Sequence, residues 1–185
     1  MVGIDFIDSF SFLVFEALLG GERYLRELSE LTGLAPSSVH KVLAKLLRHK
    51  MVLVSRQKNR LFFRLNYGSP LTAKTVGLIF VHKITAARAF AKLIALKPIG
   101  VYLFGTAASG MAAADSDIDL AVLFEKKPDG IKLSGVKRQL SNELKREIQL
   151  IVLTAEKIKS MQKENIELLN QIKNKSTVLW GEGIE

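Results

Sequence analysis

The sequence predicts an α+β protein in two parts. A helical N-terminal part is closed by a β-hairpin, and in the C-terminal part strands alternate with helices. Three observations predict this. Apolar residues recur at helical spacing through residues 4–49, then switch to two short alternating runs at 51–56 and 60–65. Gly68-Ser69-Pro70 interrupts the pattern and marks the expected division into residues 1–69 and 70–185. Beyond it, the apolar runs 101–104 and 120–124 flank a loop of small residues that ends in Ser116-Asp117-Ile118-Asp119.

Each element has its own reason. Ile7, Phe10, Val14 and Leu18 predict a first helix over residues 4–19, stopped by Gly20-Gly21. Leu25, Leu28 and Leu31 give a short helix over 24–31, and Thr32-Gly33-Leu34-Ala35 makes the turn. Pro36-Ser37-Ser38 opens the next helix, because proline at the first position lacks only an N–H that would have no partner there. That helix runs to about His49 and buries Val39, Val42, Leu43, Leu46 and Leu47. Gln57-Lys58-Asn59 joins the hairpin strands. One long helix is expected over 71–96, with an apolar stripe that includes Val76, Ile79, Phe80, Ile84, Ala87 and Leu93. It ends before Lys97-Pro98, since the residue preceding proline is pushed out of the helical region. His82 on this helix reads as a surface or packed histidine. After the loop Lys126–Gly130 come a helix over 136–146, a strand over 147–153, a helix over 155–174 and a final strand over 177–181. Ile158, Met161, Ile166, Leu169 and Ile172 line the last helix.

Composition narrows the class. Hydrophobic content of 48% and charged content of 24% are those of a folded globular protein. With no cysteine, disulfides and thiolate metal sites are excluded. No apolar run reaches the ~18 residues that span a bilayer, so no membrane association is expected and the cytoplasm is the expected compartment. The net charge of +9 is unevenly spread: between Glu30 and Asp115 thirteen Lys or Arg occur and no acidic residue. Such a block is costly in self-repulsion unless it meets a polyanion, so nucleic acid is favoured over a merely solubilising surface.

The stretch 105–119 carries the chemistry. Asp117 and Asp119 are two apart, so at the start of a strand their carboxylates project from one face. Two carboxylates so placed repel each other unless a cation lies between them. Mg²⁺ suits such a site, because it takes oxygen ligands and bridges protein carboxylates to substrate phosphates. Gly105 and Gly110 let the backbone approach a phosphate closely.

This stretch resembles, position for position, the signature of the nucleotidyltransferase superfamily that includes DNA polymerase beta, in its minimal form. The resemblance implies a mixed sheet from about 100–104, 119–125, 147–153 and 177–180, with the 71–96 helix packed on it. It implies a nucleoside triphosphate as ligand, held by Gly105, Thr106, Ser109, Gly110 and Ser116, and Mg²⁺ on Asp117 and Asp119. Such enzymes displace at the α-phosphate and use a third carboxylate from a neighbouring strand. Here that position falls on Gln149, a neutral amide that cannot act as a base. Glu147 shares the strand face and is the alternative third group. Thr106 stands for the usual Ser, and Ala107 and Ser109 stand where relatives often carry Arg. These losses imply weakened or absent catalysis with nucleotide binding retained.

Residues 4–67 resemble the winged helix-turn-helix of MarR- and ArsR-like regulators, through Leu28, Leu34, Ser37-Ser38-Val39, Leu43, Leu46 and Met51-Val52. The resemblance places Ser37, Ser38, His40, Lys41 and Lys45 toward the major groove of double-stranded DNA. Arg56, Lys58 and Arg60 fall at the wing, for phosphate or minor-groove contact. A protein-interaction role is the alternative for such a module. Two functions follow. One is a DNA-binding regulator carrying a nucleotidyltransferase-fold domain, of antitoxin type, with a HEPN-type toxin as partner. The other is an active Mg²⁺-dependent transferase acting on a protein, RNA or small-molecule acceptor. Homodimerisation is compatible with both.

Overall fold

The computed structural model describes residues 8–163 and 167–183. It is α+β, and it divides into two compact units, Met1–Thr75 and Val76–Glu185.

In the first unit α1 (Ser9–Leu19) is capped by Asp8, whose carboxylate accepts from Ser11 N at 2.7 Å. The expected start at residue 4 and the inward placement of Ile7 lie outside the described residues. The buried face is Ser11, Val14, Phe15, Leu18 and Leu19, whereas Phe10 is 49% exposed, contrary to expectation. With Phe10, Phe12, Leu13 and Phe15 all apolar, periodicity alone does not choose the face. Next come β1 (Arg23–Tyr24), α2 (Leu25–Thr32) and α3 (Pro36–Arg48). Leu28 is fully buried, but Leu31 is 62% exposed because α2 turns out of the core before Gly33, a left-handed C-cap. The hairpin β2 (Val52–Gln57) and β3 (Arg60–Leu65) joins β1 in an antiparallel sheet of order β1-β3-β2. Helix, short helix, helix and hairpin constitute a winged helix-turn-helix.

The expected long helix is two helices, α4 (Pro70–Ala86) and α5 (Arg88–Ile94), broken at an extended Ala87. No proline or glycine makes this break. Glu143, distant in sequence, accepts from Ala89 N at 3.2 Å and satisfies an amide in the first turn of α5. The second sheet has order β6-β5-β4-β7, formed by β4 (Gly100–Phe104), β5 (Ile118–Leu123), β6 (Ile148–Leu153) and β7 (Thr177–Gly181). β5 and β6 run parallel and the other pairs antiparallel, so the sheet is mixed as expected. Between β4 and β5 lies the short α6 (Gly105–Ser109), where an irregular loop was expected. α7 (Gly130–Leu144) starts six residues before its expected position, because the Asp129 carboxylate caps the amides of Ile131 and Lys132. α8 (Ala155–Lys163) and α9 (Glu167–Lys175) cover one sheet face, where Met161, Leu169 and Ile172 pack with Tyr102, Phe104 and Leu153. The expected inward Ile166 lies outside the described residues. Among the described residues no helix is long and apolar enough to cross a membrane.

Candidate nucleotide site and nucleic-acid interface

Three strand ends assemble the candidate nucleotide site. Asp119 is in register with Phe104 at the end of β4 and, on its other side, with Gln149 on β6. Phe104 leads directly into Gly105, whose backbone is left-handed (φ +69) and lies so close to Asp119 that a Cβ there would overlap Oδ2. Burial raises the Asp119 pKa above the ordinary carboxylate value, and the nearby charge of Asp117 adds to the rise. Asp117, at the loop end, accepts a hydrogen bond at Oδ2 from Gln149 Nε2 at 3.1 Å. Gln149 therefore turns its amide N–H, not its oxygen, toward the carboxylate pair. Glu147 is exposed, and its carbonyl accepts from Ile118 N at 2.9 Å. Its place before β6 puts it one step further from Asp119 than Gln149.

The remaining expected nucleotide contacts surround this pair. Thr106 is exposed, and its carbonyl accepts from Met111 N (2.8 Å) and Ser109 Oγ (3.2 Å). Gly110 is a buried left-handed cap of α6. Ser116 Oγ accepts from Ala113 N at 2.7 Å, so this hydroxyl shapes the turn before Asp117. Mg²⁺, implied by the fold, would meet two carboxylates here, and among the described residues there is no cluster of three His, Cys, Asp or Glu that could hold an ion. The donor set fits one Mg²⁺ completed by phosphate oxygens, with no third acid to remove a proton.

Sequence reasoning missed Arg146. Its guanidinium donates to the carbonyls of Ala113 (2.9 Å) and Ser116 (2.7 Å) and lies 5.1 Å above the Phe80 ring. In the sequence it is merely the last residue of an expected helix. Only the left-handed Lys145, which ends α7, turns it toward the loop.

The winged helix presents its expected contacts unequally. Ser37, His40 and Lys41 on α3 are exposed, and Ser38 is half-buried. Lys45 instead pairs with Asp8 and is only 17% exposed in its side chain, so it leaves the open face of the helix. Arg56 and Lys58 are exposed at the hairpin tip, and Lys58 takes the turn's left-handed conformation (φ +54). Arg60 lies 5.0 Å above the Tyr24 ring. His40 and Arg60 both line an apolar cleft of about 570 Å³ between α3 and the hairpin, together with Leu43, Leu47, Val54 and Phe63. Glu22 ties β2 down, accepting from Ser55 Oγ (3.0 Å) and Gln57 Nε2 (2.9 Å).

The comparisons define the class. Residues 91–182 match the model for "Polymerase beta, Nucleotidyltransferase", and residues 11–54 match the IclR helix-turn-helix domain. The C-terminal part is thus similar to the polymerase-beta nucleotidyltransferases, and the part before it to the helix-turn-helix of IclR type. Among solved structures the chain is similar to a toxin–antitoxin protein crystallised with AMP-PNP, at 28% identity and TM-score 0.39, over 50% of this chain and 73% of that one. It is also similar to the MntA–HepT toxin–antitoxin, at 26% identity and TM-score 0.34, over 50% of this chain and 69% of that one. A chain of the complex between a tri-AMPylated Shewanella oneidensis HEPN toxin and its MNT antitoxin gives the same values. No curated protein matches the sequence.

Proposed function

We propose that this protein is a DNA-binding regulator whose second domain binds Mg²⁺-nucleotide and turns it over slowly or not at all. The observation that carries the reading is Gln149. It is in register with Asp119 and donates its amide to Asp117, at the place where an active transferase has a carboxylate. The neutral N–H₂ group that faces the pair neither ligates a cation nor accepts a proton from an attacking hydroxyl. Asp117 and Asp119 hold Mg²⁺, which neutralises the phosphate charge when bound, and Gly105, Thr106 and the α6 amides receive the triphosphate. Residues 1–69 bind the duplex through Ser37, Ser38, His40, Lys41, Arg56, Lys58 and Arg60. The minimal nucleotidyltransferases that this domain resembles pair with HEPN-type toxins. We extend that pairing here, with the winged helix providing regulation of the pair's own expression in the cytoplasm.

Duplex binding tests the first half. Affinity should fall steeply with salt, with a log–log slope of about −0.9 per neutralised phosphate, and Lys41→Glu with Arg60→Glu should abolish it. Unmeasurable binding at low salt, or binding indifferent to that double change, would sink the reading. Labelled ATP tests the second half: efficient wild-type transfer that vanishes in Asp117→Ala and in Glu147→Gln establishes the active-enzyme alternative. One feature favours that alternative: the acid Glu147 stands two residues before Gln149, at the entrance to β6 and beside Ile118.

A further inference from the structure

The turn Ala113–Ser116 delivers Asp117 to the site, yet Ala113, Ala114 and Asp115 are exposed and bury no side chain to anchor it. Its internal bonds, Ser116 N to Ala113 O at 3.3 Å and Ala113 N to Ser116 Oγ at 2.7 Å, shape the turn without attaching it to the domain. Ala112, before the turn, is buried, and on the side of Asp117 the attachment comes from the start of β6. Arg146 holds the carbonyls of Ala113 and Ser116, the Glu147 carbonyl holds Ile118 N, and the Gln149 amide holds the Asp117 side chain. Asp117 is thus fixed on both sides in the backbone and at its carboxylate by residues 146–149. One guanidinium nitrogen bonding two carbonyls, with the planar group resting on Phe80, is a geometry that an ammonium does not reproduce.

We propose that Arg146 is a positioning residue of the nucleotide site, which sets Asp117 beside Asp119 by fastening the Ala113–Ser116 turn to β6. The inference rests on the reading that this pair holds Mg²⁺-nucleotide, and it acts through Asp117 without touching the nucleotide.

The experiment compares wild type with Arg146→Gln, Arg146→Lys and Arg146→Ala, the last with and without ethylguanidinium. Amide hydrogen exchange is read at Ala113, Ser116 and Ile118, with β4 as the control for folding. Calorimetry gives ATP affinity with and without Mg²⁺. Loss of hydrogen bonds from a charged donor predicts roughly 10- to 100-fold faster exchange at Ser116 and a similar loss of the Mg²⁺-dependent part of ATP affinity. Metal-free ATP affinity and β4 exchange should stay as in wild type. Arg146→Lys should behave as Arg146→Gln, and ethylguanidinium should restore Arg146→Ala. Wild-type exchange and Mg²⁺-ATP affinity in Arg146→Gln overturn the proposal, as does a loss in Arg146→Ala that ethylguanidinium leaves unrepaired. If the wild type binds no Mg²⁺-ATP, the nucleotide reading fails by itself. The exchange data then decide the role of Arg146: unchanged rates refute it, and accelerated, rescued rates uphold it. Should Arg146→Ala fail to fold, Arg146→Lys and Arg146→Gln carry the same readouts.

Discussion

The winged helix and the nucleotide site handle like charge in opposite ways. Eight Lys or Arg and no acid lie between Pro36 and Asn66, and the exposed ones are spread over α3, the turn after it, the hairpin tip and β3. The two carboxylates of the site lie two residues apart where the loop enters β5, and the charge of Asp117 adds to the rise in the Asp119 pKa that burial produces. Dispersed cations match an extended anion with many equivalent charges, whereas paired carboxylates match one compact cation. The spacing of like charges, more than their number, therefore separates a polymer-binding surface from an ion-binding site.

The largest expected effect is at Gly105. Gly105→Ala should cost about 1–2 kcal/mol for the left-handed conformation and about 1–3 kcal/mol more for the overlap with Asp119. Urea denaturation checks this, and a loss under about 1 kcal/mol would show that the close approach is not needed.

Gln149→Asp comes next and acts in two directions. Without metal it removes a hydrogen bond and adds a third negative charge, destabilising by roughly 1–3 kcal/mol. With Mg²⁺ it should recover stability and bind nucleotide more tightly than wild type. Calorimetry showing no metal-dependent gain would place the third ligand elsewhere, with Glu147 the first to examine.

Asp119→Asn probes the cost of the pair. The folded state holds the Asp119 proton more tightly than the unfolded chain does, so its contribution is most favourable below the ordinary carboxylate range. That contribution is lost as pH rises through the raised pKa. In Mg²⁺-free buffer at neutral pH the Asn variant should melt higher than wild type, with a flatter pH dependence. Mg²⁺-ATP should raise the melting temperature of wild type only. A variant less stable at every pH would contradict this account of the pair.

The smallest effect belongs to Lys45. Burial acts on Asp8 to raise its pKa, but the Lys45 and Ser11 bonds prevail and hold it below the ordinary value. Because Asp8 stays largely in solvent, Lys45→Met should cost within about 1 kcal/mol. It should weaken duplex binding less than Lys41→Met, and the reverse order in a binding titration would return Lys45 to the interface.

What was legible in the sequence was local. Gly105, Asp117 and Asp119 lie within fifteen residues, and their chemistry follows from spacing along a strand, so that site could be read directly. The order of elements over Tyr24–Leu65 was legible for the same reason, since turn residues and periodicity agree there, although Leu31, expected inward, is exposed. The missed features depend on residues far apart in the chain. Arg146 meets Ala113 across thirty-three positions and Ser116 across thirty, and Lys45 meets Asp8 across thirty-seven. In α1 Val14 and Leu18 are buried as expected and Phe10 alone is misplaced, because the helix is apolar nearly all round and its edge cannot be read from periodicity.

The break at Ala87 has a consequence for synthesis. Nothing in residues 70–96 opposes one continuous helix, and the carboxylate that satisfies α5 belongs to a residue made much later. While the chain emerges, this segment lacks the Glu143 carboxylate that receives the Ala89 amide in the folded domain. β4 gains its outer neighbour β7 later still. The second domain is thus committed to form after its last strand is translated, whereas the winged helix, complete by Leu65, is free to form well before it.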